Sequence, residues 1–184
     1  MIIGVYLRIL TALARIIDSS HACTRRHCYK VERSAIIICG KLDLSLKETK
    51  LIKIASVLHD IGKIGIDLNI VKKPAKLNAE EWAQVRMHPV IGTHIVRQVG
   101  YLSEIAPTIR HHHARYEGGG YPDPDLKGDN IPLGSRIISV VDAFDAMISD
   151  RPYRPAMSKE AALKELARCA GSQFDPRVVD AFLN

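Results

Sequence analysis

Apolar residues recur every three to four positions along most of this chain, the period of helices that each bury one stripe. The first helix is amphipathic, with Val5, Ile9, Leu13 and Ile16 on one face. Arg8 and Arg15 interrupt it, so it is too short and too charged to span a bilayer. A second helix runs from about Arg25 to Leu42 and places Val31, Ala35, Ile38 and Leu42 on one stripe. Ser45 with Glu48 three residues later forms a capping box. It opens a third helix that turns Leu51, Ile54, Ala55 and Leu58 inward and ends near Ile61-Gly62. Asn78 caps a helix that includes Trp82, Val85 and His88, and another covers Tyr101 to His113. The segment from Glu117 to Pro124 is a loop by its glycines and prolines. A long helix follows from Ile131 to Ser149, and two short ones begin near Ser158 and Asp175. No run of alternating strands and no internal repeat interrupts this order. The expected class is all-α, a single helical bundle, with at most a small hairpin beside the glycine-rich loop.

Composition narrows the setting. A chain of 184 residues favours one domain, or one domain with an appended helix. With 47% hydrophobic and 25% charged residues it supports a proper core and excludes a disordered chain. The net charge of +6 suits an anionic partner such as a phosphate ester, a nucleotide or nucleic acid, without choosing among them. A mixed solvated surface explains that charge equally well. Cys23, Cys28, Cys39 and Cys169 form no CxxC pair, and nothing resembles a secretory signal. Free thiols in a reducing, cytoplasmic setting follow.

The chemistry starts at His59-Asp60, a histidine and a carboxylate side by side after an apolar stretch. Such a pair is a poor core and a good metal site, because imidazole and carboxylate hold Zn, Fe and Mn. A carboxylate can bridge two ions with its two oxygens, a role open to Asp60 while His59 binds one of them. Lys63, three residues on, projects to nearly the same side and is placed to hold a phosphate. His112-His113 is a second adjacent pair, directly before the glycine loop. Asp142 lies among apolar residues of a helix, where an unpaired carboxylate would be costly and a metal is one available partner. Taken singly, each residue has a plainer explanation. His21, His88 and His94 read as surface or capping histidines, and His111-His112-His113 as an incidental run. The joint pattern favours the metal.

That pattern resembles the HD-GYP subgroup of the HD superfamily of metal-dependent phosphohydrolases, from about His27 to Leu183. The matching segments include His59-Asp60-Ile61-Gly62-Lys63, His88-Pro89-Val90-Ile91-Gly92 and His112-His113 through Gly118-Gly119-Gly120-Tyr121-Pro122. They continue with Asp142-Ala143-Phe144-Asp145, Arg151-Pro152-Tyr153-Arg154 and Gln173-Phe174-Asp175-Pro176. The resemblance implies an all-α bundle that hydrolyses the bacterial second messenger cyclic di-GMP. It divides the chain into an N-terminal helix and linker (1–24) and a catalytic domain (25–184). It implies two divalent ions, iron or manganese, held by His27, His59, Asp60, His88, His112, His113 and Asp142, with Asp60 as the bridge. It further implies substrate contacts at Lys63, Tyr121, Arg151 and Arg154, Lys63 and Asp60 being the catalytic pair. The implied mechanism is two-metal phosphodiester hydrolysis to linear pGpG, with GMP as a further product. No nucleic-acid polymer and no membrane span is expected; a homodimer, a diguanylate cyclase or a sensor protein are the candidate partners.

The chain departs from the family pattern HHERxDGxGYP at two places. Ala114 stands where the glutamate is usual and Glu117 where the aspartate is. Cys23 stands where some members carry a glutamate for a third metal, so two ions are expected. Two alternatives stand beside the leading reading: a non-catalytic receptor for cyclic di-GMP that signals to a protein partner, and an HD phosphohydrolase for another nucleotide.

Overall fold

The computed structural model describes residues 2–20, 27–73, 75–150 and 155–184; of residues 2–6, 15 and 18–20 only the backbone is described. The chain opens with α1 (Ile2–Ser20), α2 (His27–Lys41) and α3 (Leu46–Leu58). Short α4 (Leu68–Val71) and α5 (Ala79–Val85) lead to α6 (His88–Arg97) and α7 (Ala106–Arg110). The glycine loop then gives way to α8 (Leu133–Met147), α9 (Lys159–Arg168) and α10 (Pro176–Leu183). None of the described helices is long and apolar enough to cross a membrane.

The core lies where α2, α3 and α8 pack together, with α6 and α7 closing one side. Val31, Ala35 and Ile38 of the α2 stripe are wholly buried, as are Leu58, Ile137 and Ile138 opposite them. Each large aliphatic side chain so buried contributes on the order of 1.5–3 kcal/mol before the entropy of ordering it is set against that. The capping box of α3 forms as its sequence requires. The Glu48 backbone N–H donates to Ser45 Oγ at 3.2 Å, and Ser45 N–H donates to the Glu48 carboxylate at 2.9 Å.

Several expected elements come out differently, for local reasons. The helix expected to run through Trp82, Val85 and His88 is two helices, because α5 ends at Val85 and α6 starts afresh at His88 with Pro89 in its first turn. Proline has no N–H to donate, and a first turn is where that costs nothing. Pro107 likewise divides the expected 101–113 helix into a 3₁₀ turn (Gly100–Ile105) and the single-turn-scale α7. Pro132 delays the start of α8 to Leu133, and the helix ends at Met147 rather than Ser149.

The small hairpin is absent among the described residues, which hold only an isolated bridge between Ala170 and Phe174. The glycine loop satisfies its backbone otherwise: Gly119 donates to Pro124, and Tyr116 and Glu117 donate to the carbonyls of Gln173 and Ser172. The face of α1 is also corrected. Leu7, Leu10 and Ile17 pack against the core beside buried Ala14, whereas Ile9, Leu13 and Ile16 are exposed. This helix is apolar nearly all round, so its period alone could not choose the inward face; the side chain of Val5 lies outside the described ones.

Two contacts position the helix ends that matter below. Gly62, in the 3₁₀ turn Ile61–Gly65, lies so close to α6 that a Cβ there would sit 1.9 Å from the His88 carbonyl oxygen. This approach brings the start of α6 against the end of α3. On the far side of α8, buried Arg136 donates through Nη1 to Asp175 at 2.7 Å and also to Asp129, tying α8 to the start of α10.

Candidate metal centre

The candidate ligands come from helix ends that converge. His27 opens α2, His59 and Asp60 follow the last residue of α3, His88 opens α6, and His112 and His113 follow α7. Asp142 alone comes from mid-helix, on α8, which packs on α2. Helix termini leave backbone groups without helical partners, and here those groups are put to use. The Nδ1–H of His59 donates to the Ser56 carbonyl at 2.8 Å, that of His88 to Val85 at 2.7 Å, and that of His112 to Ile109 at 2.6 Å. His27 Nδ1–H donates instead to a carboxylate, Asp145 Oδ2, at 2.7 Å. Each bond makes Nδ1 the donor and turns Nε2 inward.

Those inward atoms fall into three overlapping groups among the described residues, the third being His59, Asp60 and His112. His27, His59 and Asp142 offer one set of ligand atoms within 4.8 Å of one another, and His88, His112 and His113 offer a second. Asp60 stands between them: Oδ2 is 3.4 Å from His59 Nε2 and Oδ1 is 3.3 Å from His88 Nε2. Asp142 Oδ1 is 3.3 Å from His27 Nε2. All seven predicted ligands are therefore brought together.

The residues also fit a cation on their own chemistry. His59 Nε2 and Asp60 Oδ1 are buried atoms with no hydrogen-bond partner. His88 Nε2 and His112 Nε2 face each other at 3.2 Å, yet each ring spends its N–H on a carbonyl, so two lone pairs meet. A buried polar atom left unpaired costs about 1–3 kcal/mol, and a shared cation removes that cost. Burial pulls His88 down to about 4, Asp60 opposing and Lys63 adding to the effect; burial with its neighbour His88 pulls His113 down to about 3. His112 is held well below the ordinary value by burial and by His113 and His59. Three neutral imidazoles at neutral pH are the ligand form that metals need. His27 goes the other way: burial would lower it, but its bonds to Asp142 and Asp145 outweigh that and lift it to about 11.

Lys63 reaches Asp60 Oδ2 at 2.5 Å, at the rim of the centre. Tyr121 is carried there by the glycine loop. Gly120 passes so close to the preceding chain that a Cβ would lie 2.5 Å from the Arg115 nitrogen, and this tight return stacks Tyr121 on His113 at 4.7 Å between ring centroids. Burial, with Asp60 and Asp142 nearby, raises the phenol further, so it keeps its proton. Ala114, at the position where the resemblance leads one to expect a glutamate, is buried. Arg151, Arg154 and Cys23 lie outside the described residues. His111 turns away, pairing with Asp123 at 2.8 Å.

Reading the sequence missed two residues. Asp145 orients His27 and is itself paired with Lys30 at 2.9 Å; its signal was a second buried-type carboxylate one turn after Asp142. Arg86 lies over the Tyr121 ring at 5.6 Å and the Trp82 ring at 6.0 Å. Nothing in its spacing marked it, since only the break between α5 and α6 brings it there.

The comparisons with known proteins agree with this geometry. The model of a family described as HD domain matches residues 11–178. The chain belongs to the HD domain family. Among curated relatives, a cyclic di-GMP phosphodiesterase response regulator of Xanthomonas campestris is 40% identical over 176 residues, covering 95% of this chain and 46% of the relative. A cyclic di-GMP phosphodiesterase of Thermotoga maritima is 38% identical, covering 96% and 48%. A 3′3′-cGAMP-specific phosphodiesterase of Vibrio cholerae is 35% identical, covering 93% and 33%. The chain thus spans half or less of the length of these relatives. Of solved structures, a cyclic GMP-AMP specific phosphodiesterase of V. cholerae superposes with a TM-score of 0.74 at 22% identity, covering 96% of this chain and 47% of the other. At that identity the likeness shows the HD domain fold.

Proposed function

We propose that this HD domain is a phosphodiesterase that hydrolyses cyclic di-GMP to linear pGpG, using two divalent ions, iron or manganese. One observation carries the reading: Asp60 stands where two adjoining ligand groups meet, one oxygen facing His59 and the other His88, as a bridging carboxylate would. The names of the curated relatives supply the substrate class. Ions held there would act as Lewis acids on the phosphodiester and make water a nucleophile near neutral pH.

The chain's own residues supply the rest. His27, His59 and Asp142 would hold one side, and His88, His112 and His113 the other, with His59, His88 and His112 oriented by their bonds to main-chain carbonyls. The Lys63 ammonium sits at the rim and takes a phosphoryl oxygen, stabilising charge that grows as the P–O3′ bond breaks. Tyr121, held neutral, donates its Oη proton to a phosphate or sugar oxygen. Arg151 and Arg154 contact the phosphates, a role for which arginine's paired donors suit them. The balance is simple: water adds its oxygen to phosphorus and a proton to the leaving 3′ oxygen.

A second reading, binding without turnover, rests on Ala114, since the loss of a carboxylate behind the ligands weakens support that metal sites use. Anaerobic loading with Fe(II) or Mn(II), followed by cyclic di-GMP and chromatography of pGpG and GMP, separates the two. Turnover supports the hydrolase. Tight binding with no turnover on either metal supports the receptor.

A further inference from the structure

Beside the metal centre lies a cavity of about 360 Å³ to which neither the ligand groups nor the mechanism assigns a role. Its walls are apolar, formed by Ile66, Ile70, Val71 and Leu77. Trp82 lines it with a large aromatic side chain that is 46% exposed. Lys63 lines it too, and the same Lys63 ammonium reaches Asp60 at 2.5 Å. The cavity and the phosphodiester site therefore share a wall. Arg86 bridges the two by another route, lying over both Trp82 and Tyr121.

We infer that this cavity is the subsite for one guanine base of the cyclic dinucleotide, stacked on Trp82. The inference rests on the reading of the site as a cyclic dinucleotide phosphodiesterase. A cavity of this size with apolar walls and a few polar groups has the character of a small-molecule site. A base attached to a phosphodiester engaged at Lys63 has to leave the centre in some direction, and this is an aromatic-lined space at that residue. The polar groups choose the base. Lys63, Lys73 and Lys76 line the cavity, and among the described residues no acidic side chain does. Lysine only donates; N7 accepts in both purines, but guanine adds the O6 acceptor where adenine presents an amino donor that a lysine repels. Lys73 is steadied for this by Glu81, whose two carboxylate oxygens it meets at 2.7 and 2.8 Å. Guanine is common to cyclic di-GMP and 3′3′-cGAMP, so the subsite admits both and disfavours cyclic di-AMP.

Trp82 is the single tryptophan of the chain, so indole emission reports on this cavity alone. The full chain loaded with Mn(II) is mixed in a stopped-flow instrument with the hydrolysis-resistant phosphorothioate analogues of cyclic di-GMP, 3′3′-cGAMP or cyclic di-AMP, and binding of the same analogues is measured in parallel by equilibrium dialysis. The first two quench the emission saturably, at concentrations that track their binding, and cyclic di-AMP binds at least about fivefold more weakly. Trp82→Ala weakens cyclic di-GMP binding by roughly 5- to 100-fold, as loss of one base stack does, with metal content unchanged. Trp82→Phe restores most of it, which a merely structural role of the indole in packing would not require. If cyclic di-GMP binds with no change in emission and equal affinity for Trp82→Ala, the subsite is overturned while the phosphodiesterase reading stands. Equal affinity for cyclic di-AMP overturns the choice of guanine. Failure of the wild-type chain to bind any cyclic dinucleotide overturns both.

Discussion

Gly62→Ala adds one methyl group where the 3₁₀ turn after Asp60 meets α6. That Cβ would lie 1.9 Å from the His88 carbonyl oxygen, 2.5 Å from the Gly92 nitrogen and 2.9 Å from the His88 carbonyl carbon. All three are backbone atoms, so no rotamer change relieves the contact. A comfortable carbon–oxygen separation is about 3.3 Å, so the start of α6 must retreat by roughly 1.4 Å. Overpacking of this kind costs about 3 kcal/mol, at the upper end of the usual range because the obstacle is main chain. For a domain of this size that is a fall in melting temperature of about 6–12 °C. The same retreat carries His88 away from Asp60, whose atoms now stand 3.3 Å apart. Metal–ligand distances tolerate only about 0.2 Å, so the His88 group loses its ion. Calorimetry gives the first quantity and elemental analysis of the loaded protein the second. Gly100→Ala is the control, because nothing lies within 4 Å of a Cβ there. A Gly62→Ala protein that melts within about 2 °C of wild type and holds a full complement of metal would refute the reasoning.

Asp60→Ala removes the carboxylate between the two ligand groups; bound metal falls and turnover of cyclic di-GMP is lost, and full activity in that variant would end the bridging role. Lys63→Ala keeps its metal by elemental analysis yet turns over more slowly, since the ammonium sits at the rim rather than among the ligands. Asp145→Asn deprives His27 of its anionic partner and weakens metal binding by about 10- to 100-fold in a competition titration against a chelator; an unchanged affinity would contradict it. Arg136→Met leaves Asp175 buried beside Arg177 alone and destabilises the fold by about 3–5 kcal/mol, read as a shift in denaturant midpoint.

Much of the site was legible because its ligands fall in short, chemically unusual strings. His59-Asp60, His112-His113 and Asp142 each break an apolar pattern, and the structure puts all of them at one centre. The helical class was legible for the same kind of reason, since a stripe such as Val31, Ala35 and Ile38 has one burial solution. What could not be read was decided by tertiary contact. The inward face of α1 was undetermined, because Ile9 and Leu10 are equally apolar and only packing against α2, α3 and the turn after α3 selects between them. His111 carries the same side chain as His112, and a difference in backbone direction after α7 sends it to Asp123 instead. Arg86 became part of the site through the helix break before Pro89, which no spacing rule marks.

Three of the inward-facing imidazoles are anchored by main-chain carbonyls, at Ser56, Val85 and Ile109, and one by a side chain, Asp145. A carbonyl is present whatever side chain occupies the position, so exchanging the side chain at 56, 85 or 109 leaves the acceptor of those three rings in place. His27 is different, because its anchor is encoded. Among the four anchors, the one that drift can exchange by a side-chain change lies at position 145: substitution there retunes how firmly an ion is gripped while the carbonyl-anchored rings keep their bearings.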